Sequence, residues 1–221
     1  MDRRLLAWTA LAAALLVLAG VAGVDRPLAE WVRASGIENA PVFVVGLAAL
    51  DTAGGIPIWF WLAGCAALAL GALGSAMRRD ARWPRALVAA GIVQVATLHT
   101  MNIGKELFGR VRPQQLFESG DWSHAWHAGG TSFPSGHSAF YFGLLLPLAA
   151  ACPRAWQRVL LVAIAVFAIL ARIDMAKHFL SDVSASALIA ALYSLLVATA
   201  LRRWLPAPPA RIANEPSPGQ R

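Results

Sequence analysis

Charged side chains are what this sequence has least of. Asp, Glu, Lys and Arg make up 14% of its 221 residues, while hydrophobic residues make up 58%. Soluble domains carry about 25% charged and about 45–50% apolar residues. The deficit excludes an ordinary soluble enzyme, and the apolar content excludes disorder except at the ends. Cysteine is nearly absent too. Cys65 and Cys152, in or beside apolar runs, give neither a zinc-ligand spacing nor a disulfide framework. No internal repeat is visible. The formal net charge is +7, yet the basic residues are not gathered into the polar stripe that nucleic-acid binding would need. They lie between long apolar runs, which reads as an all-α, polytopic membrane protein with one domain over residues 1–205.

A transmembrane helix takes about 20 mostly apolar residues. Spans are expected at 5–24, 56–77, 86–104, 134–151, 156–171 and 183–201, giving a six-helix bundle. Arg3 and Arg4 precede the first run, so a cleaved signal peptide competes there. The run is longer than a usual signal segment and favours a retained span. Residues 25–51 alternate charged and apolar, and 41–50 is too short to cross. A shallow interfacial segment fits both. Trp59 and Trp61 look like an aromatic anchor at the start of the second span. The tail at 206–221, rich in Pro, Arg and Ser, is expected to be disordered.

The loops then sort by charge. Twelve of the 19 basic residues (Arg3, Arg4, Arg78, Arg79, Arg82, Arg85, Arg154, Arg158, Arg202, Arg203, Arg211 and Arg221) fall on one side. Seven (Arg26, Arg33, Lys105, Arg110, Arg112, Arg172 and Lys177) fall on the other. The positive-inside rule puts both termini of this multi-pass protein in the cytoplasm.

The residues that topology does not explain collect on the outer side. Lys105 and Arg112 are two helical turns apart and share a face if the helix continues. Two long cations there suit a dianionic phosphate, and Arg adds a bidentate fork. Snorkelling to headgroups is the alternative. Ser135 and Gly136 open a helix after Pro134, so free backbone N–H groups and the helix dipole favour an anion. His137 can exchange a proton near neutral pH. A plain N-cap at Ser135 is the bland alternative. His178 and Asp182 are four apart, so the carboxylate can fix the imidazole tautomer, cap a helix, or both. Arg172 supplies a third cation.

Together these groups describe a reaction. Lys105, Arg112 and Arg172 neutralise phosphate oxygens while Ser135 and Gly136 donate hydrogen bonds. His178, held by Asp182, attacks phosphorus, and His137 protonates the leaving oxygen before acting as base on water. Fixed cations supply the charge stabilisation, so no metal or other cofactor is required. His124 and His127 have no clear third metal ligand. Arg110 is expected to be solvated or headgroup-bound, His99 to be a packed histidine, and the tryptophans of loop 114–131 to sit in an interfacial belt.

Lys105 with Arg112-Pro113, the run Pro134-Ser135-Gly136-His137, and Arg172 with His178 and Asp182 resemble the three-part signature of type-2 phosphatidic acid phosphatases. That superfamily includes membrane lipid phosphatases and soluble vanadium haloperoxidases. The resemblance implies a six-helix bundle with its site at the extracytoplasmic membrane surface, His178 as nucleophile and His137 as acid. Ala171 departs from the Ser or Gly common in the third motif. A membrane lipid phosphate is the expected substrate: lipid A phosphate, undecaprenyl pyrophosphate, phosphatidylglycerol phosphate or phosphatidic acid. A phosphotransferase with the same phosphohistidine is the nearest rival. A non-enzymatic binder or transporter of anionic lipid is a more distant one, having no need of both histidines and Asp182.

Overall fold

Inside a bilayer every backbone N–H and C=O must find a partner within the protein, which helices achieve segment by segment. The computed structural model describes residues 1–77 and 82–204, and all regular structure among them is helical. Nine α-helices occur among the described residues: α1 (Arg3–Ala19), α2 (Asp25–Ala34), α3 (Pro41–Ala53), α4 (Leu62–Met77), α5 (Arg82–Phe108), α6 (Pro113–Ser119), α7 (Gly136–Ala151), α8 (Ala155–Asp174) and α9 (Leu180–Trp204). The expected disordered tail from Pro206, and the basic loop at Arg78 and Arg79, lie outside the described residues.

Four stretches are long and apolar enough to cross a membrane: Arg3–Ala34, Arg82–Ser119, Ala155–Asp174 and Leu180–Ala200. The other two expected spans are shorter. α4 and α7 have 16 residues each, about 24 Å at 1.5 Å per residue, against a hydrocarbon core of about 30 Å. The second span begins at Leu62 rather than 56, because residues 54–61 are mostly turn. α7 is short but largely shielded from lipid: it packs against α1, α5, α8 and α9 at the bundle centre.

Packing relies on small residues and a few interhelical hydrogen bonds, as expected where lipid removes the hydrophobic drive between helices. Gly64, Ala67, Gly71 and Gly74 form the buried face of α4, which lies along α5. A Cβ at Gly71 would meet the Val88 backbone nitrogen at 2.7 Å, so any larger residue would push α4 and α5 apart. Gln94 Nε2 on α5 donates to the Phe140 carbonyl on α7 at 3.1 Å, and Thr100 pairs with Tyr193 of α9 at 2.8 Å. His99, expected to be packed, lies instead on the exposed face of α5.

The first helix does not stop where the apolar run stops. One π-helical turn, Gly20–Val24, with Gly23 at φ 144°, kinks the chain into amphipathic α2 and turns Asp25 inward. Thus the segment expected to be interfacial contributes a buried carboxylate. Asp2 caps α1, pairs with Arg158, and donates its backbone N–H to the Ala150 carbonyl. The N-terminus and the α7–α8 turn therefore share one end of the bundle. The ends of α3, α5 and α8 and the starts of α7 and α9 meet at the other.

Candidate active site

At that second end, Lys105, Arg112, Gly136, His137, Arg172 and His178 line a cavity of about 330 Å³, with Phe60, Trp61 and Met101 among its apolar walls. Six of the eight residues expected in the site meet there. Lys105 and Arg112 do so by a different route from the one expected. α5 ends at Phe108, and the chain turns at Gly109 (φ 47°), so the two cations converge from a helix end and a loop rather than along one helical face. Arg172 comes from the last turn of α8. Among the described residues no carboxylate lies within ion-pair distance of these three cations. Arg172 Nε is also buried without a hydrogen-bond partner.

Ser135 and Asp182 stand behind the cavity wall. Ser135 is fully buried at the N-cap of α7, where its Oγ accepts from the Ser138 N–H at 3.5 Å. Its N–H donates to the Asp182 carbonyl at 3.0 Å, and its own carbonyl accepts from Ser186 Oγ at 2.7 Å. Ser135 thereby ties the start of α7 to the start of α9.

His178 is buried in the turn between α8 and α9. Its Nδ1 lies 2.9 Å from the Ser132 carbonyl and 3.6 Å from Asp182 Oδ2. A carbonyl can only accept, so Nδ1 carries the proton and Nε2 the free lone pair. Burial pushes the His178 imidazole down to about 4; the nearby Asp182 opposes this, and the charges of Arg172 and Arg112 add to it. At neutral pH the ring is uncharged.

Asp182 orders this corner. It accepts from the Ser132 hydroxyl at 2.5 Å, the Phe179 N–H at 2.8 Å and Arg110 Nη1 at 2.6 Å. Asp182 thus both neighbours His178 and caps the start of α9.

Arg110, expected to be solvated, is 4% exposed. It bridges Asp182 to Asp25 Oδ2 at 2.8 Å, donates to Ser181 Oγ, and stacks between Phe179 and Trp126, 4.0 and 4.2 Å from the ring centroids. The loop over it packs closely: a Cβ at Gly130 would lie 2.2 Å from the Arg110 carbonyl oxygen. Trp122 and Trp126 belong to that cover, edge-on to Phe117, Phe108 and Phe133. Lys177 is tied to Gln114 Oε1 on α6.

Sequence reading missed Asp51 as well as Asp25. Asp51, near the end of α3, lies 3.0 Å from His137 Nε2 through Oδ2 and accepts the Tyr141 hydroxyl at 2.7 Å through Oδ1. The only signal was a carboxylate closing an otherwise apolar run.

One cavity thus gathers two histidines and three cations that have no carboxylate within ion-pair distance among the described residues. The chain belongs to the PAP2 superfamily, whose model matches residues 83–206. It is 34% identical over 105 residues to a lipid A 1-phosphatase of Rhizobium johnstonii, covering 46% of this chain and 42% of that protein. It is 33% identical over 105 residues to a lipid A 1-phosphatase of Rhizobium etli, covering 46% and 44%. The chain thus spans less than half the length of these curated relatives. No solved structure matches it.

Proposed function

We propose that the protein is a membrane lipid phosphatase that acts through a phosphohistidine on His178. Three cations without carboxylate partners around a cavity that also holds a neutral imidazole carry this reading. Such a pocket favours a dianion, because an entering anion relieves the mutual repulsion of the cations.

Lys105, Arg112 and Arg172 bind the phosphate oxygens, and the start of α7 at Gly136 offers backbone N–H groups. His178 Nε2 attacks phosphorus, and the bond to the lipid oxygen breaks. His137 gives that oxygen a proton. Water then attacks the phosphorus, His137 takes a proton from it, the N–P bond breaks, and inorganic phosphate leaves. Asp182 and the Ser132 carbonyl hold His178 throughout. Charge on the transferring group is balanced by fixed cations.

The substrate class is a lipid phosphate or pyrophosphate, with lipid A phosphate placed first because both curated relatives carry that name. The site belongs on the periplasmic face of the inner membrane by the charge asymmetry of the loops. Phosphate release by detergent-purified protein in EDTA, over a panel of lipid phosphates, tests the reading. Release by the wild type and none by His178→Ala is expected. No release from any lipid by folded wild type would overturn hydrolysis.

A further inference from the structure

Asp51 has no part in the reaction as derived so far, and it lies outside the segment that matches the family. Yet it holds the acid. Burial works against its ionisation, but the hydrogen bonds from His137 and Tyr141, with the charges of His137 and Arg172, outweigh burial and hold the carboxyl below its ordinary 3.8. An ionised carboxylate can only accept. Its Oδ1 takes the Tyr141 hydroxyl, so its Oδ2 takes Nε2–H of His137. Phe60 stands edge-on to the imidazole, 5.9 Å between centroids. Nδ1 is then the one nitrogen of His137 left to exchange a proton.

We propose that Asp51 is the positioning residue of the general acid: it commits Nε2–H of His137 to itself and leaves Nδ1 to serve the substrate. The proposal rests on the phosphatase reading above. In the first step Nδ1–H of the imidazolium goes to the lipid oxygen as the P–O bond breaks, leaving the neutral Nε2–H form. In the second step the Nδ1 lone pair takes a proton from water as the N–P bond of phosphohistidine breaks. The imidazolium is restored, and Asp51 remains ionised throughout. α3 therefore supplies a component of the site, although it is too short to count as a span.

The leaving group provides the test. An alkyl lipid oxygen needs a proton as it departs, whereas nitrophenolate does not. kcat/KM covers only the steps up to phosphohistidine formation, so the later hydrolysis does not enter. For Asp51→Asn we expect kcat/KM to fall about 100-fold with dioctanoyl phosphatidic acid and less than about 3-fold with p-nitrophenyl phosphate. Equal losses with both would overturn the proposal. A second measurement stands apart from turnover. In ¹⁵N spectra of histidine-labelled wild type, the neutral His137 ring, assigned by its loss in His137→Gln, should show the Nε2–H tautomer. An Nδ1–H tautomer would overturn the proposal. A wild type that cleaves neither these substrates nor any lipid phosphate of the panel would overturn the phosphatase reading, and the spectrum would still decide for or against Asp51.

Discussion

The two histidines of the cavity are supported in opposite ways. His178 is 3% exposed, and its Nδ1 is fixed by a backbone carbonyl. Behind it stands a buried chain of charges, Asp182–Arg110–Asp25, drawn from α9, a loop and the start of α2. His137 is half-buried and paired directly with a carboxylate from α3. The difference suits the tasks we propose for them. A nucleophile must be uncharged and fixed in place, which burial and a neutral acceptor provide. An acid must carry a proton and exchange it, which a paired carboxylate and partial exposure allow.

The largest expected effect breaks the first side outright. His178→Ala removes the proposed nucleophile and should lower phosphate release by at least about 10⁴-fold in protein that still elutes as a folded species. Arg110→Ala attacks the same side through its support. It leaves Asp25 and Asp182 buried and unpaired, a loss of about 3–5 kcal/mol, read as a lower unfolding midpoint in detergent. The corresponding change on the other side, Asp51→Asn, should cost activity selectively by leaving group and little stability, since Asp51 is only partly buried.

Acid should also separate the two sides. The folded value of His178 near 4 lies below its ordinary 6.5, so between those values the unfolded chain binds the extra proton. Stability from this group is full above about 6.5 and is lost as pH falls toward 4. Thermal midpoints should drop across that window, and His178→Gln should drop less steeply. An identical slope in the two proteins would contradict the burial argument.

The smallest effect sharpens the comparison at the cavity floor. A Cβ at Gly136 would meet Phe60, Met101 and Lys105 Nζ at 3.5–3.9 Å, ordinary contact distances. Gly136→Ala should therefore fold, and gain about 0.4–1 kcal/mol from a stiffer unfolded chain. Its methyl group takes space beside the ammonium, so KM should rise by roughly tenfold. An unchanged KM would show that phosphate does not reach the start of α7.

What the sequence revealed, and what it hid, follows this same division. Lys105, Arg112, Arg172, His137 and His178 stand at the ends of apolar runs, where an ionisable residue is conspicuous, and they all reach the cavity. The long runs of α1, α5, α8 and α9 were equally plain. Arg110 was not, because one more cation in a polar loop reads as solvated. Its partners Asp25 and Asp182 are 85 and 72 residues away. Asp51 is 86 residues from His137 on a helix whose 13 residues are too few to span. Local periodicity carries no information about such pairings. α4 was read as a longer span because hydropathy registers apolar length, whereas the turns before Leu62 shorten the helix itself.

The most direct test of the account is to quench the protein during turnover of a ³²P-labelled lipid phosphate and locate the label. A phosphohistidine intermediate would appear as an acid-labile, alkali-stable phosphoryl group on His178, absent from His178→Ala. Phosphate release by His178→Ala at the wild-type rate, with no label on the wild-type protein, would contradict it.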